Sequence, residues 1–181
     1  MTDCRQPDPA SEFVVRWARA IADATPHPRR ALDIAMGRGR HARPLADAGF
    51  RVFGVDRRLD AVRDGMARAA ADGVVVRGWC ADLTRSPLPR GWFAVVVVTR
   101  YLQRDLFPAI GEALAPGGVL LYETFTEAQR DLGRGPTSPD HLLKPGELPK
   151  AFEGLELLSY EEVSEPDALA RFAARRRTSA A

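Results

Sequence analysis

Three aspartates, Asp33, Asp56 and Asp82, each belong to or closely follow an apolar run of strand-forming residues. Asp33 stands four positions before Gly37, at the mouth of a strand, where a carboxylate needs a partner to be tolerated and a cation would serve. Gly37 and Gly39 make a G-x-G turn whose backbone reaches positive φ without strain, lets a ligand approach closely and opens into a helix N-terminus. Asp56 ends the alternating run 50–56. An acid there, at the end of a strand in a doubly wound sheet, can accept hydrogen bonds from both vicinal hydroxyls of a ribose, and it can also cap the helix that follows. Asp82 closes the third such run, after Cys80 and Ala81.

These acids must be positioned by alternating strands and helices. Ser11 can cap a helix over 11–24, in which Phe13, Val14, Trp17, Ala18 and Ile21 share one face. Residues 25–30, with Pro26, His27 and Pro28, connect it to the first strand. Pro44 restricts the next helix to starting no earlier than about His41, and Gly49 ends it. A helix over 59–71 and a third strand over 74–79 follow. The run 92–98 is continuously apolar and β-branched, which fits a central parallel strand beside the first, and Thr99, Arg100 and Tyr101 follow at its C-terminal end. A helix over 106–115, a Pro116-Gly117-Gly118 turn and a strand over 119–123 come next, bringing Glu123 and Thr124 near the same end. Residues 125–147 are rich in glycine and proline without periodicity, the pattern of a binding loop or lid, and contain Arg130, Arg134 and His141. A short helix through Phe152 and a strand over 155–163 complete the pattern. Composition over 169–175 favours helix.

This sequence resembles the class I S-adenosylmethionine-dependent methyltransferases, and within them the small single-domain group that includes tellurite and thiopurine methyltransferases. Asp33, Gly37, Gly39, the Pro-Gly-Gly turn and the serial acids carry the resemblance. Ala35 stands where the family usually has its first glycine, which widens the turn. The resemblance implies a single Rossmann-like α/β sheet of about seven strands, mostly parallel, whose C-terminal antiparallel hairpin makes 169–175 a strand. It also implies S-adenosylmethionine across the C-terminal ends of the first four strands, with S-adenosylhomocysteine as product. Asp33, Ala35, Gly37 and Gly39 would then face the amino-acid end. Asp56 and Arg57 would lie at the ribose, and Thr99 at the end of the fourth strand. Asp82 would accept the adenine amine, with Ala81, Leu83 and Trp79 as candidates for holding the ring. Tyr101, backed by Arg100, is the candidate for orienting the acceptor or acting as a weak base.

At 181 residues the chain fits one domain, here taken as 11–176 with a flexible 1–10 and a frayed 177–181. No apolar run reaches the roughly 18 residues of a membrane span and no signal-peptide core precedes Ser11, so the expected location is the cytoplasm. Cys4 and Cys80 make no disulfide framework and no metal-ligand spacing with His27, His41 or His141; Cys80 reads as a small buried side chain. Of the 26 basic residues only Lys144 and Lys150 are lysine, a bias of composition that gives no basic stripe with interleaved aromatics, so nucleic acid is not an expected partner. The expected substrate is a small molecule, and Arg100, Arg104, Arg130 and Arg134 would favour an anionic one only if they face the cleft. Two alternatives stay open. Gly37, Gly39 and Ala42 also fit the G-x-G-x-x-A of a nicotinamide-dinucleotide enzyme, although Asp33 and the lack of room for a hydride acceptor argue against it. A non-catalytic module that binds the same cofactor would explain Ala35 and the lack of a clear catalytic acid or base.

Overall fold

The computed structural model describes residues 8–24 and 28–178. His27 and Cys4, and most of the 1–10 and 177–181 segments, lie outside the described residues. The described chain runs α1 (Glu12–Ile21), β1 (Arg30–Ile34), α2 (Ala42–Asp47), β2 (Arg51–Asp56), α3 (Leu59–Ala71), β3 (Val76–Cys80), β4 (Phe93–Thr99), α4 (Phe107–Ala113), β5 (Leu114–Phe125), α5 (Glu147–Ala151), β6 (Glu156–Val163) and β7 (Leu169–Arg175).

All strands join one sheet of order β3-β2-β1-β4-β5-β7-β6, with β7 antiparallel to both β5 and β6. This is the Rossmann-like arrangement with a C-terminal hairpin. Every residue of β4 is buried, because helices cover both of its faces. Its alternating side chains divide between two cores. Val96 and Val98 meet Leu32, Tyr122, Ile110 and Phe152 on one side; Val95 and Val97 meet Phe13, Val14, Leu45 and Leu121 on the other. Seating β4 between β1 and β5 brings the ends of five parallel strands, and hence the acids that follow them, to one edge.

Local sequence accounts for most boundaries. Ser11 Oγ accepts the Val14 N–H and caps α1. The α3 bounds agree with the 59–71 reading. The helix over 11–24 ends earlier, at Ile21, and the one over 106–115 contracts to α4 preceded by a single 3-10 turn, Arg104–Leu106. The Pro-Gly-Gly turn is absorbed into β5: its register on β4 jumps from Phe93–Leu114 to Val95–Val119, and Gly117 takes φ +77° in the resulting bulge. Helix propensity over 169–175 loses to pairing, since β7 lies between two strands and buries Phe172, Ala173 and Ala174. No helix of the described residues is long and apolar enough to cross a membrane.

Candidate active site

Above the C-terminal ends of β2, β3, β4 and β5 lies a cavity of about 570 Å³. That is within the usual range for small-molecule and cofactor sites. Of the twelve site residues expected from sequence, eight line it: Ala35, Asp56, Arg57, Ala81, Asp82, Leu83, Arg100 and Tyr101. Asp33, Gly37, Gly39 and Thr99 lie outside its walls.

Asp56 is the best-anchored group in the cavity. Its Oδ2 accepts the Gly37 N–H at 3.0 Å and its Oδ1 accepts the Arg58 N–H at 2.9 Å. The carboxylate is thereby fixed in orientation while each oxygen keeps acceptor capacity for a further partner, such as a diol. The glycine turn thus works through Asp56, since the Gly37 amide is spent on that acid. The helix it opens into, α2, has only six residues.

Asp82 is exposed. Its Oδ1 accepts both the Thr84 N–H at 3.0 Å and the Thr84 hydroxyl at 2.7 Å, and Oδ2 has no hydrogen-bond partner among the described residues. Those two bonds hold the acid below the usual carboxylate range, so it stays an acceptor at neutral pH. Trp79 is not at this cavity; it packs against the core on the α4 side.

Asp33 sits behind the cavity rather than in it. It is buried, its Oδ2 lies 3.3 Å from His41 Nδ1, and its Oδ1 has no partner. His41 Nε2 accepts the Ser11 N–H at 3.3 Å, which places the ring proton on Nδ1, facing the acid. Thr99 is also buried on this side, where its hydroxyl accepts from Arg40 Nη2 at 3.0 Å. Burial, reinforced by Arg100, lowers the Arg40 pKa, and Asp33, Glu123 and Asp8 counter it. Arg40 and His41 are the site-supporting residues that motif reading passed over. Their signal was only their place directly after Gly39.

Among the described residues, the two non-glycines with positive φ are Ala35 at +54° and Arg100 at +52°, and both line this cavity. Such conformations cost an L-residue about 1–2 kcal/mol and gather at functional sites. Arg100 is pinned in place by its N–H to the Glu123 carbonyl and by its guanidinium on Asp8 at 2.9 Å. Glu123 itself turns away from the cavity to Arg171 at 2.8 Å, while Thr124 lines it.

The long 125–147 segment is fastened rather than loose. Leu143 pairs with Phe125 and Glu127, the fully buried Gln129 accepts the Ala168 N–H at 2.7 Å, and Arg104 grips Glu147 through Nε at 2.6 Å and Nη2 at 2.9 Å. Arg104 also donates to the Leu142 carbonyl at 2.9 Å. Between these fixed points, Pro136 and His141 line the cavity, as do Gln103 and Tyr101. Three of the four arginines considered for an anionic acceptor are therefore structural: Arg104 as above, Arg130 on the Thr137 carbonyl, and Arg134 on Asp167 and the Pro166 carbonyl. Cys80 proves exposed rather than buried, with Sγ 3.3 Å from the Arg57 carbonyl it donates to. No cluster suited to a metal ion occurs among the described residues.

Residues 31–118 match the model of a methyltransferase domain, the span that runs from Asp33 through the bulge of β5. Over that span, just under half of its length, the chain carries a methyltransferase domain. Solved structures agree on the fold. TehB from Haemophilus influenzae is similar with a TM-score of 0.75 at 18% identity over 93% of this chain and 63% of that one. An S-adenosylmethionine-dependent methyltransferase from Mesorhizobium loti gives 0.67 at 20% identity over 90% and 98% of the two chains. Another from Clostridium acetobutylicum gives 0.71 at 13% over 95% and 93%. This chain thus spans just under two thirds of TehB. No curated protein matches by sequence. The domain and the folds it resembles imply S-adenosylmethionine as cofactor, with S-adenosylhomocysteine as product. The residues present are of a kind that fits that group: two anchored acids in the cavity, and behind it a buried Asp33 oxygen with no partner among the described residues, in the field of Arg40.

Proposed function

We propose that this methyltransferase acts on a small-molecule acceptor, held between Tyr101, Gln103 and the Pro136–His141 roof. One observation carries the reading: Asp56 and Asp82, from separate strand ends, line a single cavity together with Tyr101 and with Pro136 and His141 of a fastened loop. A cavity of that size suits a nucleoside cofactor with a metabolite-sized partner better than a macromolecule.

Bound S-adenosylmethionine supplies a methyl group already activated on a positively charged sulfur, so the protein's task is alignment and exclusion of water. Asp56 would accept from the ribose hydroxyls. Asp82 would accept from the adenine amine through Oδ2, with Ala81 and Leu83 as apolar contacts. Asp33, with Arg40 and the His41 bridge, would set the charge at the amino-acid end. Tyr101 is held from behind by the Tyr122 hydroxyl, which donates to its carbonyl at 3.0 Å. Burial, then Asp82, pushes the Tyr101 phenol up from its ordinary value, which makes it a hydrogen-bond donor to the acceptor at neutral pH and not a base.

The proposal includes residues 11–176 as one catalytic unit in the cytoplasm, independent of nucleic acid or membrane; an exposed, unpaired Cys80 suits a reducing compartment. The test is binding of S-adenosylhomocysteine and NAD side by side by thermal shift and calorimetry, followed by S-adenosylhomocysteine release on a panel of thiols, amines, carboxylates and metalloid oxyanions. Stabilisation by NAD alone sinks the reading. Tight S-adenosylhomocysteine binding with silence across the panel identifies a non-catalytic module.

A further inference from the structure

We propose that His141 is the residue that takes the proton from the methyl acceptor, whose class is then a nucleophile carrying an ionisable hydrogen, such as a thiol or phenol. The inference rests on the methyltransferase reading and deepens it.

His141 ends the 3-10 turn Pro139–His141 and lines the cavity that Tyr101 also lines. Its backbone is fixed on both flanks. The His141 N–H donates to the Ser138 carbonyl at 3.0 Å, and the next two residues, Leu142 and Leu143, are fully buried, with the Leu142 carbonyl held by Arg104. The ring, by contrast, is exposed and neither nitrogen has a partner among the described residues. His41 is the opposite case. Both of its nitrogens are committed, to Asp33 and to the Ser11 N–H, and it is buried.

Elimination among the cavity's titratable groups leads to the same residue. Arg57, Arg58 and Arg100 remain protonated at any working pH. Asp82 is committed to Thr84 and is a weakened base, and Asp56 is tied to two backbone amides at the ribose end. Tyr101 keeps its proton. Histidine is the side chain that exchanges a proton near neutrality, and among the described residues His141 is the one histidine that lines this cavity.

The step balances as follows. The acceptor's X–H pair becomes a lone pair as its proton passes to the His141 imidazole. That lone pair forms the new bond to the methyl carbon, and the carbon–sulfur pair stays on sulfur, leaving neutral S-adenosylhomocysteine. The imidazolium then discharges its proton to solvent, to which the exposed ring has access.

Wild type, H141Q and H141A are to be compared with 4-nitrothiophenol, already a thiolate at neutral pH, and phenylmethanethiol, which is protonated. Calorimetry on S-adenosylhomocysteine is run in parallel. The expected result is unchanged S-adenosylhomocysteine affinity, a loss of about 10²-fold or more with phenylmethanethiol, little change with 4-nitrothiophenol, and partial rescue of H141A by added imidazole. The acidic limb of the wild-type pH profile disappears in H141Q. In spectra of the imidazole nitrogens, adding phenylmethanethiol to the S-adenosylhomocysteine complex perturbs His141 and leaves the buried His41 unchanged. Equal loss with both thiols, no loss with either, no turnover of either thiol by wild type that binds S-adenosylhomocysteine, or His141 signals that phenylmethanethiol leaves unmoved each overturns the assignment. Failure of wild type to bind S-adenosylhomocysteine overturns the methyltransferase reading instead.

Discussion

Gly37 donates its N–H to Asp56 Oδ2 at 3.0 Å, so the turn after β1 and the acid after β2 form one unit. Removing the acid therefore damages both the proposed ribose contact and the turn. Asp56→Ala is expected to weaken S-adenosylhomocysteine binding by about 10²-fold, the size of two lost charge-assisted hydrogen bonds. Asp56→Asn, which keeps one acceptor oxygen, falls between. Calorimetry measures both.

Ala35 adopts φ +54° on the cavity wall, a conformation glycine takes without strain. Ala35→Gly should raise stability by about 0.5–1 kcal/mol, the strain relieved less the extra freedom gained by the unfolded chain. It should also tighten S-adenosylhomocysteine binding by removing a methyl from the wall. Urea unfolding and calorimetry on the same preparation check the two effects, and a less stable variant would show that the alanine is not strained.

Gly65 of α3 packs directly on the glycine turn. A Cβ there would lie 2.8 Å from Met36 Cε, 3.1 Å from the Arg38 carbonyl carbon and 3.2 Å from the Gly37 oxygen. Methionine can move, but the backbone of the turn cannot do so without shifting Asp56's donor. Gly65→Ala should cost about 1–3 kcal/mol and weaken cofactor binding as well. Unfolding curves with and without S-adenosylhomocysteine separate the two losses.

The Arg104–Glu147 pair holds the roof that carries His141. Burial would raise the Glu147 pKa, but hydrogen bonds from Arg104 and the Lys144 N–H outweigh it and leave the acid below its ordinary value. A depressed folded value means the carboxylate stabilises the fold above its unfolded pKa of about 4.3, and that contribution is lost as pH falls through the lower folded value. The difference in unfolding midpoint between wild type and Glu147→Gln should thus be constant at neutral pH and shrink below about pH 4. Arg104→Lys, which loses the planar fork, should reduce acceptor turnover more than S-adenosylhomocysteine affinity.

The sequence by itself determined the first six strands, most of the helices, and the acids at or just past the ends of the first three, because period and composition are local and an acid ending an apolar run has few other places to go. Eight of the twelve expected site residues line the cavity for that reason. Tertiary packing decided the rest. It turned Asp33 and Thr99 toward α1, since alternate residues of a strand face opposite sides of the sheet, and gave them His41 and Arg40 as partners. It made strand of 169–175 by wedging it between β5 and β6, against local helix propensity. It also spent Arg104, Arg130 and Arg134 on carbonyls and carboxylates and left His141 over the cavity, 40 residues along the chain from Tyr101. No local pattern encodes which arginine meets a carbonyl and which histidine meets a cavity, because those contacts are fixed by how distant segments close on one another.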